Sequence, residues 1–215
     1  MTVDVVIFSL VDEDLQVLLS KRPHKPFANM WAIPGGFVQM DESLDDAANR
    51  QLAAKTGVTD VYTEQLYTFG APQRDPRTRV ITVAYFALVP YTAIKQDPAD
   101  NIKTDWFSVY NPPELAFDHH EIIEYALQRL RYKLEYTMVG FQLLPDVFTL
   151  SELQHAYEII LGEDLDKRNF RRKILASGIL EKTGRKKNEG EGRPAMLYCY
   201  RDDAVAEVKT RRLFP

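Results

Sequence analysis

Lys167, Arg168, Asn169, Arg171, Arg172 and Lys173 fall in one run of the chain broken only by Phe170. Arg and Asn side chains suit paired hydrogen bonds with guanine and adenine edges, while Lys mostly meets phosphate. By itself such a run reads equally well as a solvated helix face, so its setting decides its meaning. Residues 166–193 hold 10 Lys+Arg against 4 Asp+Glu, a net of +6, in a chain whose formal net charge is -4. Residues 1–140 carry 13 Lys+Arg against 19 Asp+Glu, a net of -6, and residues 141–215 carry 14 against 12, a net of +2. Positive charge is thus concentrated where a polyanion can be held locally.

Two further groups could do chemistry. Asp41, Glu42, Asp45 and Asp46 crowd a short segment at the start of an expected helix. Clustered carboxylates are the ligands a hard divalent cation needs. Equally, acids at a helix N-terminus are favoured by the helix dipole without any metal. The second group is Arg74-Asp75-Pro76-Arg77 with the nearby Arg79, set between strand-like runs where ligand contacts are common. Arg22, Phe27, Trp31, Arg50 and Lys55 complete a candidate ligand pocket. Phe27 and Trp31 also read as core, and the arginines as surface residues.

The elements that must position these residues follow from pattern. Val3 to Leu10 and Leu15 to Ser20 flank the polar turn Asp12-Glu13-Asp14, as in a hairpin. Ser43 caps a helix running to about Lys55, with Gly57 as its stop. Val61 to Phe69, Arg79 to Val89 and Asp105 to Val109 read as strands. The β-branched and aromatic content of the second marks it as central. Strands with a single intervening helix give a mixed α+β layer fold. After Asn111-Pro112-Pro113, apolar residues recur at helical spacing from about His119 to Met138, a helix placed to carry a signal between domains. Leu144-Pro145-Asp146 marks the junction between a domain at 1–140 and another at 141–215.

In the second domain Thr149 and Glu152 have the spacing of a capping box, and Gly162 closes the helix they open. Asp166 caps a second helix, Lys167 to Ala176, with Gly178 as its stop and Phe170, Ile174 and Leu175 as its buried stripe. Ile179-Leu180-Glu181 and Ala195 to Tyr200 then read as strands around a basic, glycine-rich loop, Thr183 to Pro194. Helix, short turn, basic helix and basic hairpin loop together describe a winged helix-turn-helix. The loop adds Arg185, Lys186, Lys187 and Arg193 to the candidate DNA contacts.

From Trp31-Ala32-Ile33-Pro34-Gly35-Gly36 onward the sequence resembles a Nudix hydrolase. Gly36, Glu42, Arg50, Leu52, Gly57 and Val58 match that family's motif in register, but its three helical glutamates fall on Gln51, Ala54 and Lys55. Those positions share one helical face. In a working Nudix enzyme that face carries the carboxylates holding Mg²⁺ or Mn²⁺, so no metal and no catalytic residues are expected here. The stretches Leu161-Gly162, Leu165 to Lys173, Thr183-Gly184 and Gly192 to Ala195 extend the likeness to Nudix-related transcriptional regulators of the NrtR type.

The resemblance implies a Nudix-like mixed-sheet sandwich followed by a winged helix-turn-helix. It implies a homodimeric repressor of NAD biosynthesis or salvage genes, bound to a palindromic double-stranded operator and released by ADP-ribose or a related nucleotide, with no cofactor. Relatives of the same architecture control sugar catabolism with arabinose as effector, and that alternative stays open. So do an active metal-dependent ADP-ribose pyrophosphatase using Glu42, Asp45 or Asp46, and an interaction module whose basic wing binds acidic partners. The single cysteine, Cys199, excludes an intramolecular disulfide framework and fits a reducing compartment. The absence of a signal peptide or membrane-length apolar run points to the cytoplasm and to no membrane partner.

Overall fold

The computed structural model of the 215-residue chain describes residues 1–59, 61–94, 103–136, 143–188 and 194–201. Arg193 and the expected helix beyond Tyr136 lie outside these residues. The chain folds as two compact units, Met1–Gln128 and Arg129–Pro215.

The first unit is built on a hairpin, β1 (Thr2–Val11) and β2 (Asp14–Lys21). Asp12 and Glu13 both take left-handed backbone, φ 47° and 62°. Two such residues form the turn whose twist matches that of the flanking strands. Then come β3 (Trp31–Ala32), β4 (Gly35–Phe37), α1 (Leu44–Thr56), β5 (Tyr62–Phe69), β6 (Thr82–Leu88), β7 (Thr104–Ser108) and the first half of α2 (His119–Tyr136), whose residues from Arg129 onward belong to the second unit. The seven strands form one mixed sheet in the order β3-β2-β1-β6-β5, with β4 on β1 and β7 on β2. β1 runs parallel to β6 and antiparallel to β2 and β4. Every residue of β6 is buried, which explains its unbroken run of apolar and β-branched residues. Strands β3 and β4 are too short for a periodic signal, and pairing with β2 and β1 alone defines them.

Alternation along β1 separates two faces. Val3, Val5 and Ile7 join Ala47, Ala48 and Leu52 of α1 in one core cluster. Full burial of a side chain such as Leu52 stabilises by about 1.5–3 kcal/mol. The even-numbered residues, Asp4 among them, face away from α1. α1 is closed at both ends: Ser43 and Asp46 make a reciprocal capping box, and Gly57 caps the C-terminus at φ 65°.

The second unit contains β8 (Phe148–Thr149), α3 (Leu150–Leu161), α4 (Lys167–Ala176), β9 (Leu180–Lys187) and β10 (Ala195–Tyr200). Its sheet runs β8-β10-β9. This is a winged helix-turn-helix. Tyr157 of α3 meets Phe170 of α4 edge to face at 5.5 Å, within a core that includes Leu153, Ile160 and Ile174.

Two details differ from the sequence reading. Thr183 to Lys187 is strand, not loop: β9 continues through a bulge at Gly184, φ 74°, while Thr183 Oγ1 donates to the Leu197 carbonyl. The flexible backbone of glycine absorbs the extra residues without breaking the hairpin. Leu175 is exposed, because the inward arc of α4 is filled by Phe170 and Ile174 alone.

Candidate ligand cleft and nucleic-acid interface

In the first unit a cleft of about 220 Å³ opens beside β1 and β4, walled also by residues from the segments 74–80 and 117–119. Thr2 and Asp4 of β1 stand opposite Phe37 and Gly35 of β4 and share their face. The approach is close: a Cβ on Gly35 would lie 2.2 Å from Asp4 Oδ1 and 2.6 Å from the Val3 carbonyl oxygen. Only glycine allows β4 to pass there.

Three of the sequence-selected arginines line this cleft: Arg22, Arg74 and Arg77. Arg74 is buried and donates to Asp118 from Nε at 2.8 Å and from Nη2 at 2.7 Å, with Asp4 Oδ2 3.6 Å away. Arg77 folds back on Asp75, donating from Nε at 3.0 Å and Nη2 at 2.7 Å. The Arg77 hydrogen bonds hold the Asp75 carboxyl below the usual carboxylate range. Arg22 donates from Nε to the Pro26 carbonyl, and its guanidinium lies 4.5 Å from the Phe117 ring centre. Burial, then the charge of Arg77, lowers its pKa from the ordinary value. Phe27 reaches the wall indirectly, edge to face with Phe117 at 4.9 Å.

The other four sequence-selected residues are not brought to the cleft. Trp31 packs on Phe107 at 4.7 Å, with the amines of Lys21 and Lys103 each 5.7 Å from its ring. Arg79 donates to the Gly70 carbonyl. Arg50 binds Glu42 and the Phe37 carbonyl. Lys55 occupies the last turn of α1, where a cation complements the helix dipole.

Asp75, from the Arg74-Asp75-Pro76-Arg77 segment, lines the cleft as well, and so do Asp4, Phe117 and His119, which the sequence did not mark as ligand contacts. Asp4 carried a signal, since a carboxylate within an apolar strand must find a partner. His119 gave none. Its Nδ1 accepts from the Ile33 backbone N–H at 2.9 Å, so the neutral ring carries its proton on Nε2. Burial lowers its pKa and keeps it neutral. Fixed guanidiniums, an aromatic ring, carboxylates and a neutral imidazole suit an anionic ligand bearing hydroxyl groups.

The α1 face tells against a metal. Gln51 presents its amide to the far side of Gly36, where a Cβ would lie 2.4 Å from Nε2. Glu42 accepts from Arg50 Nε at 2.9 Å and from the Gln39 N–H at 2.8 Å, and these bonds lower its pKa. Asp45 accepts from Tyr85 Oη at 2.6 Å, and Asp46 closes the cap on Ser43. Among the described residues no three His, Cys, Asp or Glu side chains are grouped to hold a metal ion. The side chains present do not fit a hard divalent cation, which needs several oxygen ligands.

In the second unit, capping orients the basic helix. Thr149 and Glu152 make the reciprocal capping box of α3, and Asp166 accepts from the Asn169 N–H at 2.7 Å to start α4. With Phe170 and Ile174 turned inward, Arg168 and Arg172 are exposed and Asn169 is half-buried beside them. Arg172 donates to Asn169 Oδ1 at 2.8 Å, which aligns the two side chains. Lys167 is exposed at the first turn and Lys173 half-buried in the last. Arg171 turns toward α3, donating to Ser151 Oγ at 3.1 Å. Arg185, Lys186 and Lys187 lie exposed on β9, and Lys187 pairs with Glu152. Among the described residues no helix is long and apolar enough to cross a membrane.

Residues 1–129 match the NUDIX domain and residues 140–200 the NrtR DNA-binding winged helix domain. The chain is 43% identical over 204 residues to the ADPR responsive transcriptional repressor NtrR of Acinetobacter baylyi, covering 93% of this chain and 81% of that one. Its fold is similar to that of Shewanella oneidensis NrtR crystallised with a 27mer DNA: TM-score 0.89, 40% identity, 100% of this chain and 99% of the other. The NUDIX domain of the Shewanella protein, crystallised with ADP ribose, has 43% identity and a TM-score of 0.53 over 60% of this chain and 86% of that one. With both domain families matched in order along one chain, the protein belongs to the NrtR family, a NUDIX domain followed by an NrtR DNA-binding winged helix.

Proposed function

We propose that this chain is an ADP-ribose-responsive transcriptional repressor. Residues 1–140 sense the effector, and residues 141–215 bind DNA. The observation that carries the reading is the face of α4 that presents exposed Arg168 and Arg172 beside half-buried Asn169, with the opposite side locked into the core by Phe170 and Ile174. Such a face enters a major groove while the wing reaches flanking phosphates. A homodimer places two such faces on a palindromic operator in the cytoplasm, and NAD biosynthesis or salvage genes are the regulon. The arginine-lined cleft favours a phosphorylated effector over a neutral sugar such as arabinose. ADP-ribose acts as a signal and not a substrate, because Gln51, Ala54 and Lys55 stand where metal-binding glutamates are required.

Fluorescence anisotropy on DNA from upstream of NAD-metabolism genes and of the protein's own gene tests this. Sequence-specific binding relieved by ADP-ribose and not by arabinose is the expected result. Binding without sequence preference, or a complex that ADP-ribose leaves intact, overturns it. By linkage, bound operator must weaken ADP-ribose binding by the same factor.

A further inference from the structure

An ADP-ribose effector seated in this cleft brings a diphosphate beside an α1 face whose side chains do not fit a metal. Phe117 supplies a geometry for neutralising it. Its backbone is left-handed, φ 56°, as is that of its ring partner Phe27, φ 62°. Bulky side chains seldom adopt that region, and when they do the surroundings enforce it, often at ligand sites. Here the enforcement is visible. Leu115 bridges to Trp31, the Ala116 N–H donates to the Trp31 carbonyl at 2.9 Å, and His119 is held by the Ile33 N–H. Phe117 stands at the apex of this tied segment and faces the cleft.

One ring therefore gathers two guanidiniums, Arg22 at 4.5 Å and Arg77 at 5.8 Å from its centre. An aromatic face attracts each cation, but the cations repel one another. Arg77 has the Asp75 carboxylate, whereas Arg22 has none within ion-pair distance among the described residues. Arg22 thus keeps terminal N–H groups available beside a second cation, an arrangement completed by an anion with several oxygens.

We propose that Phe117 is a positioning residue that holds Arg22 and Arg77 as a metal-independent receptor for the diphosphate of a nucleoside diphosphate sugar. This rests on reading the cleft as the effector site. Its consequence is that effector sensing needs the ring of Phe117 and not merely its bulk.

The test is titration calorimetry of the full chain with ADP-ribose and with inorganic pyrophosphate, in EDTA and in Mg²⁺, across a range of salt. Wild type should bind ADP-ribose equally well in EDTA and in Mg²⁺. Phe117→Leu, which keeps apolar volume, and Arg22→Gln should each weaken ADP-ribose by about tenfold or more and flatten its salt dependence. Phe117→Tyr, which keeps the ring, should retain affinity within about threefold. Thermal unfolding of each variant reports whether it folds. ADP-ribose binding that requires Mg²⁺, or wild-type affinity and salt dependence in folded Phe117→Leu and Arg22→Gln, overturns the proposal. If those variants still release operator normally, the repressor reading survives and only the arginine receptor falls. If wild type fails to bind ADP-ribose, both fall.

Discussion

Arg74 and Asp118, far apart in sequence, face each other as a two-pronged ion pair with bonds of 2.8 and 2.7 Å, their side chains only 5% and 12% exposed. The pair joins the loop after β5 to the start of α2, so it sets two walls of the cleft at once. Asp118→Ala leaves a guanidinium nearly out of water, with Asp4 at 3.6 Å as its remaining ion-pair partner among the described residues. Breaking a buried pair costs up to about 3–5 kcal/mol, because the remaining charge loses its close hydrogen-bonded partner. Denaturant unfolding should read a loss of that order. A loss below about 1 kcal/mol, typical of surface pairs, would contradict this assignment.

Gly35→Ala should damage stability and the cleft together. The added methyl would meet backbone as well as the Asp4 side chain, so β4 must shift away from β1. Overpacking costs of about 1–3 kcal/mol apply, with weaker ADP-ribose binding alongside. Gly36→Ala should be milder, since it meets only the movable end of Gln51. Equal effects at the two glycines in unfolding experiments would be the contrary result.

On DNA, the orientation of α4 divides its basic residues. Arg168→Ala and Arg172→Ala should each cost about 1–3 kcal/mol on operator and little on random sequence. Lys186→Ala should weaken all DNA alike and lower the log–log salt slope by about one. Arg171→Ala should leave base preference intact, because Arg171 is committed to Ser151. Anisotropy with specific and scrambled duplexes separates the three behaviours.

Stability should fall on acidification in two stages. Burial lowers the pKa of His119 in the folded chain, so the unfolded chain takes up that proton first. The neutral His119 contribution is complete above the unfolded pKa, about 6.5, and declines as pH falls below it. The slope from this one group approaches about 1.4 kcal/mol per pH unit. Asp75, its pKa lowered chiefly by the Arg77 hydrogen bond, adds a second loss below about pH 4. His119→Asn should flatten the profile between pH 7 and 5. Parallel profiles for variant and wild type would remove His119 from this role.

Incubation of the protein with ADP-ribose and Mg²⁺ should yield no turnover that depends on Glu42. That carboxylate already serves Arg50 and the Gln39 N–H, so Glu42→Gln should disturb the segment before α1 without changing hydrolysis. Release of AMP by wild type and its loss in Glu42→Gln would restore the enzyme reading.

The sequence by itself determined whatever depends on neighbours along the chain. The Ser43, Thr149 and Asp166 caps, the Asp12-Glu13 turn and the Gly57 and Gly162 stops are local events within a few residues. It also placed Gln51, Ala54 and Lys55 on one side of a helix, whatever surrounds it. Only the tertiary structure decided which arginines face one another. Arg22, Arg74 and Arg77 share a cleft while Arg50 and Arg79 turn elsewhere, because each guanidinium goes to the acceptor or ring that folding brings within reach. Phe117 and His119 were silent in the sequence for the same reason: their roles arise from Arg22, Phe27 and Ile33, residues that only sheet closure brings beside them. A cap is chosen by steric and hydrogen-bonding options close along the chain, whereas a binding cleft is chosen by which distant groups must satisfy each other's buried charge.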